Sequence, residues 1–238
     1  MGDHTVQFYG NDSARLTRNV ASYLSEALNE GGGAMVVACA DVRDALRREL
    51  GSVDVAYLDD RETLAQILGP DGRPDPAGFE AAVGTRARRM TARYPRVRAY
   101  GEMVSVLWLQ GACEAALQLE SLWNGLMVSV PFDLFCGYAI DVLSADFQIA
   151  GMHPVLAAHT RVAQGIEPAF DGAMEHAMEK LWGERNSSLR SLANEGFSAV
   201  KAEIPPAERT ILRLRSSLPR YAERILSDAV TALREAQP

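Results

Sequence analysis

The chain has 238 residues, 47% of them apolar and 23% charged, the balance of a soluble globular protein long enough to bury a sizeable core. This composition excludes a disordered chain, a collagen-like repeat and a small disulfide scaffold. The net charge of -7 argues against a dominant nucleic-acid surface.

In chain order, residues 5–9 are rich in β-formers and predict a strand. Asn11, Asp12 and Ser13 offer caps to a helix with Leu16, Val20, Tyr23, Leu24, Ala27 and Leu28 at helical spacing, and Gly31-Gly32-Gly33 ends it. The apolar run at 34–40 has the pattern of a strand covered on both faces. Asp41 caps a short helix, 53–58 is a third strand, and another short helix lies near 62–68. A turn-rich loop at 69–76 leads to a helix over 79–94 with a dense arginine face, then to a strand entered at 95–100. Residues 104–126 are mostly helical with a break near Gln110-Gly111, and 132–142 is the last strand. Strands separated by helices predict the α/β class, a mostly parallel sheet with helices on both faces.

After about Ser144 no strand is expected. Residues 156–162, 167–193 and 207–236 read as helical, with a kink at Pro219. The expected division is an α/β domain over 1–155 and a helical appendage over 156–238. The apolar 3-4 spacing of the last segment means that it packs back on the domain or pairs with another copy, as a homodimer would. The N-terminus shows no basic region followed by an apolar stretch, and no run of about eighteen apolar residues exists. The expected location is cytoplasmic, away from membranes. Cys39, Cys113 and Cys136 are odd in number, far apart and outside any CxxC, and read as buried thiols in a reducing compartment.

Familiar chemical motifs are missing. The first strand is followed by Gly10-Asn11-Asp12-Ser13, with no lysine where a phosphate-binding loop places one. The glycine run at 31–33 follows a helix and precedes a strand, the reverse of a phosphate cradle. GxSxG is absent. The histidines are His4, His153, His159 and His176, without HExxH spacing, so no metal set and no cofactor is read, and His4 is taken as a capping or hydrogen-bonding residue. Six arginines between Arg86 and Arg98 are either a solvated helix face or a phosphate surface.

Two constellations carry polar residues. Arg96, Arg98 and Tyr100 alternate along the predicted strand, and Glu102 stands at its C-terminal end, where open α/β sheets bind ligands. This group is either an ion-pair network that fixes the following helix or a pocket lined by Arg98 and Glu102. Further on, Trp108, Glu120, Trp123 and Asn124 lie among leucines. They either fill the core or wall an apolar cavity.

The segments HTVQFYGND at 4–12, VRAYGEMVSVLW at 97–108, ALQLESLWNGL at 116–126 and FDLFCGYAI at 132–140 together resemble the MEDS domain, the sensory domain of DcmR-type regulators. The resemblance covers roughly residues 3–155 in matching order. It implies a RecA-like or KaiC-like sheet without its nucleotide loop, and a sensor of small molecules, hydrocarbon derivatives among them. By motif position it singles out His4, Gln7, Tyr9, Arg98, Tyr100, Glu102, Trp108, Glu120, Trp123 and Asn124 as candidate ligand-binding residues. His153 sits where the family often has a histidine after its last core strand. The stretch at 57–63 is shorter than usual for the family. The region after 156 has no kinase glycine motif, and from Lys201 onward its seven basic and five acidic residues give too little charge for DNA binding.

The expected function is a non-enzymatic signalling protein that senses a small ligand or a partner and passes the signal through its helical tail to a downstream protein. Two alternatives stand beside it: an atypical nucleotide-binding RecA-like ATPase with Glu102 as base, and an interaction regulator with no small ligand.

Overall fold

The computed structural model describes residues 2–51, 54–147, 151–183 and 202–236. Six parallel strands form one sheet in the order β3-β2-β4-β5-β1-β6. They are β1 (His4–Phe8), β2 (Gly33–Ala38), β3 (Val55–Asp59), β4 (Val97–Gly101), β5 (Asp133–Tyr138) and β6 (Arg161–Val162). The α/β class read from alternating strand and helix patterns is the class observed.

Alternation along the strands sorts two cores. Val6, Phe8, Met35, Val37, Val97, Ala99, Leu134, Cys136 and Tyr138 face one side. There they pack against α3 (Asp60–Ile67), α6 (Met103–Leu109) and α7 (Cys113–Ser129). Ala34, Val36, Ala38, Tyr100 and Phe135 face the other side, against α1 (Ser13–Asn29) and α2 (Ala40–Leu50). Both faces are therefore covered, as continuous apolar strands require.

Local chemistry sets the element ends. Asp12 accepts from the Arg15 N–H and starts α1, and Gly31 at φ +73° lets the chain leave it. Asp59 caps α3 through the Arg61 and Glu62 N–H groups. The N-cap of α2 is Cys39, not Asp41, which sits in the first turn and favours the helix through its dipole. The arginine-rich helix begins earlier than its periodicity suggests. Asp75 caps α4 (Pro76–Phe79), which runs through a π-turn at Glu80–Gly84 into α5 (Thr85–Arg93). Gly111, at φ +77°, separates α6 from α7 at the expected break.

The C-terminal region corrects one expectation. Residues 156–162 are not one helix: α8 (Met152–Ala158) stops at His159, and Arg161–Val162 pairs with Thr5 and Val6 of β1 as the sheet's edge. A two-residue strand is too short to show a period of two, so its pairing partner, and not its own sequence, makes it a strand. Beyond it come α9 (Ala169–Trp182), α10 (Pro206–Ser217) and α11 (Pro219–Ala236), where Pro219 ends up at a break between two helices. The helix expected up to residue 193 lies partly outside the described residues. Phe170, Met174, Ile211, Leu214, Ile225 and Leu226 join the apolar core on the α7 side of the sheet, so the tail packs back on its own chain.

Candidate functional site

The ten candidate residues do not form one site. Pleating divides them between the two faces of the sheet and the edge where its strands end.

On the α7 face, β1 contributes His4, β5 contributes Cys136 and Tyr138, α7 contributes Glu120 and Asn124, and the turn after α8 contributes His159. His4 Nε2 lies 3.4 Å from Glu120 Oε2 and 3.3 Å from Cys136 Sγ. His159 Nε2 lies 3.4 Å from Glu120 Oε1, and the two imidazole centroids are 4.0 Å apart. The Tyr138 hydroxyl donates to Glu120 Oε1 at 2.8 Å, and the Cys136 thiol faces Glu120 Oε2 at 3.8 Å. His4, Glu120, Cys136 and His159 are all buried. Burial pushes the Glu120 carboxyl up to about 7 and the His4 imidazole down to about 4. Burial, reinforced by His4, holds His159 well below the usual histidine range. Four electron-pair donors thus converge where a metal ion would fit, a set that sequence spacing does not announce. His4 is an interior hydrogen-bonding residue and not a strand cap.

Trp123 is core: its ring meets Phe79 edge-on at 5.2 Å and Phe132 at 6.2 Å. Trp108, on the preceding helix α6, is only half-buried and stands edge-on to Tyr138 at 5.7 Å. The two tryptophans therefore have different roles.

On the α1 face, Arg98 and Glu102 do not share a pocket. Arg98 near the start of β4 pairs with Glu26 at 2.6 Å and lies over the Tyr23 ring at 4.4 Å, with Asp133 at 3.7 Å. Arg96 precedes the strand and pairs with Glu30. This ion-pair network holds the end of α1, not the helix that follows β4. Glu102, just past the other end of the strand, accepts from the Cys39 N–H at 3.1 Å. Burial raises its carboxyl above the usual range. Tyr100 is fully buried, and its hydroxyl fills the space that a side chain at Gly137 on β5 would need, only 2.7 Å from an ideal Cβ there. Gln7 is buried under α1 and accepts from Asn19 at 3.0 Å. Tyr9, half-buried at the end of β1, lies near Glu102; burial, then that charge, raises its phenol.

Cavities occupy the C-terminal edge of the sheet. After β1 the chain moves towards β2, and after β5 it moves the other way to β6. Neighbouring strands whose connections diverge in this way open a crevice, the usual ligand position in α/β sheets. One cavity there, of about 310 Å³, lies between Tyr9, Gly10 and Asp12 and the tail residues Val230, Leu233 and Arg234. A larger one, of about 590 Å³, has an apolar wall of Trp108, Leu117, Phe147, Met152 and Pro154. Ile140 and Asp141 border both.

The tail grips this same edge. Arg215 on α10 is buried and donates to the carbonyls of Val142 (3.0 Å), Leu143 (3.1 Å) and Ser144 (2.8 Å). It also pairs with Glu223 of α11 and lies over the Phe147 ring at 5.3 Å. Glu208 on α10 accepts from the Gly165 and Ile166 N–H groups at 2.7 and 2.8 Å. Sequence patterning missed Arg215, Glu208, Cys136 and His159 as site residues, because each acts through partners distant in the chain. His153, which sits where the family often has a histidine after its last core strand, is exposed on α8.

A family model described as MEDS, the methanogen/methylotroph, DcmR sensory domain, matches residues 3–159. Among curated proteins and solved structures, none matches the chain.

Proposed function

Since this chain belongs to the MEDS family of sensory domains, we propose that it is a non-enzymatic sensor whose ligand is a small apolar molecule held in the Trp108 cavity. The observation that carries this reading is the Arg215 clamp. The loop at 141–147 walls the cavity, and the same loop is held at three successive carbonyls by a guanidinium of the tail. A ligand that displaces Phe147 or Ser144 changes the geometry of that clamp, and α10 and α11 respond. A downstream protein, or a second copy of the chain, then reads the rearranged helices.

Cavity chemistry supports an apolar ligand over a nucleotide. The smaller cavity beside Gly10-Asn11-Asp12 has Asp12, Asp141 and Glu167 on its lining against Arg15 and Arg234, and Arg15 is already paired with Asp12. A triphosphate meets net negative charge there and no lysine. The larger cavity offers Trp108 as an aromatic wall and few polar anchors, the usual composition of small-molecule pockets.

Native mass spectrometry of the full chain, purified with its small molecules retained, tests this reading. The expected result is an added mass of a few hundred daltons or less, lost in Trp108→Ala. A ligand-free spectrum, together with no response to a panel of short alcohols, ketones and haloalkanes, contradicts it.

A further inference from the structure

We propose that His4 Nε2, His159 Nε2, Cys136 Sγ and a Glu120 carboxylate oxygen together bind one divalent cation of the zinc class.

Proton positions are the first argument. His4 Nδ1 lies 3.0 Å from Asn124 Oδ1 and 3.1 Å from the Ala158 carbonyl, and both are acceptors. Asn124 is oriented by its own Nδ2, which donates to that same carbonyl at 3.0 Å. His159 Nδ1 lies 2.6 Å from the Val155 carbonyl. Each imidazole therefore carries its proton on Nδ1 and turns the Nε2 lone pair inward. The Nε2 of His159 is fully buried and finds no hydrogen-bond donor. Two imine nitrogens, a carboxylate and a sulfur face one another with at most two protons among them, and a shared cation satisfies all four.

Shape is the second argument. A tetrahedral ion with metal–nitrogen bonds near 2.0–2.1 Å and a metal–sulfur bond near 2.3 Å sets its ligand atoms about 3.3–3.6 Å apart. The distances from His4 Nε2 to sulfur and to oxygen are 3.3 and 3.4 Å, sulfur to oxygen is 3.8 Å, and all four donors lie within 4.8 Å of one another. His159 Nε2 lies 3.4 Å from the other Glu120 oxygen and within 4.8 Å of the remaining donors, so its side must close inward to complete the tetrahedron.

The supporting shell is the third. Both histidines give their second nitrogen to backbone carbonyls, the arrangement that fixes tautomer and ring orientation in metal sites. The Tyr138 hydroxyl holds the Glu120 oxygen that faces His159. A thiolate with two imidazoles selects zinc over magnesium or calcium. Four protein donors leave no position for a substrate, so the ion is structural, joining β1, β5 and α7 to the turn that leads into the tail. Its burial means that it enters as the chain folds.

The test uses the full chain, expressed with supplemental zinc, dialysed, and analysed for metal by mass spectrometry. The same chain refolded with cobalt(II) is examined by absorption. The expected result is about one equivalent of zinc per chain. With cobalt, a near-ultraviolet thiolate-to-metal band and the intense visible bands of a tetrahedral ion are expected. Cys136→Ser loses the thiolate band and Cys113→Ser keeps it. A folded wild-type chain without retained metal overturns the proposal, as does cobalt bound without the thiolate band or a band unchanged in Cys136→Ser. The wild-type spectrum decides the question even if the Cys136 variant does not fold.

Discussion

At the scale of single residues, two tryptophans that look alike in the sequence separate by environment. Trp123 is boxed in by Phe79 and Phe132, so Trp123→Ala leaves a large cavity and should cost about 3–5 kcal/mol. Trp108→Ala, at a half-buried wall, should cost far less stability while abolishing ligand retention. Urea unfolding of both variants checks the contrast. Glu102 is a second case. Its folded-state affinity for a proton is raised by burial, so its ionisation works against folding, and stability is lost as pH rises above the unfolded carboxylate value through the folded one. Glu102→Gln should therefore raise the urea midpoint at pH 8 and match the wild type at pH 4. A variant less stable at pH 8 would show that the charge on Glu102 is needed in the fold. Glu102, Tyr100 and Trp108 were legible as candidates because they cluster within a dozen residues of sequence. His159 was not: its partners His4, Glu120 and Cys136 come from three distant elements, and no spacing rule links them.

Elements were readable to the extent that they repeat a period. The strands β1 to β5 and the helices α1 and α7 carry long apolar patterns, and caps such as Asp12 and Gly31 marked their ends. What was unreadable is what tertiary pairing decides: β6, set by two residues of β1, and the early start of the helix that contains the π-turn. The same limit hid the tail's docking. An amphipathic helix shows its apolar stripe but not which surface covers it, and here the stripe of α11 meets its own domain. Arg215 adds a polar anchor to this docking. Arg215→Met removes charge-assisted bonds to three carbonyls and should cost at least about 2 kcal/mol, since each such bond contributes about 1.5–3 kcal/mol. Limited proteolysis should then cut within 206–236 sooner than in the wild type. Equal rates would mean that the apolar contacts alone hold the tail.

At the scale of the whole molecule, one edge of the sheet gathers the parts that the proposed sensing uses. The crevice between β1 and β5 opens there, the larger cavity lies beside it, and α10 holds the loops after β5 and β6 with one cation and one carboxylate. Trp108 on the cavity wall also touches Tyr138, whose hydroxyl holds Glu120 in the buried donor cluster. Under the proposed function, a ligand at Trp108 would reach the tail by one residue layer and the cluster by another. The described helices of the C-terminal region share the apolar core of the α/β domain through Phe170, Met174, Ile211 and Leu214.

The most direct test of this account is hydrogen exchange of the full chain with and without the small molecule that native mass spectrometry identifies. Ligand should protect the backbone around 108–117 and 139–147, and it should also change exchange across α10 and α11, which do not line the larger cavity. The second effect should vanish in Arg215→Met while the first persists. Protection confined to the cavity, with the tail unchanged in the wild type, would contradict transmission through the Arg215 clamp.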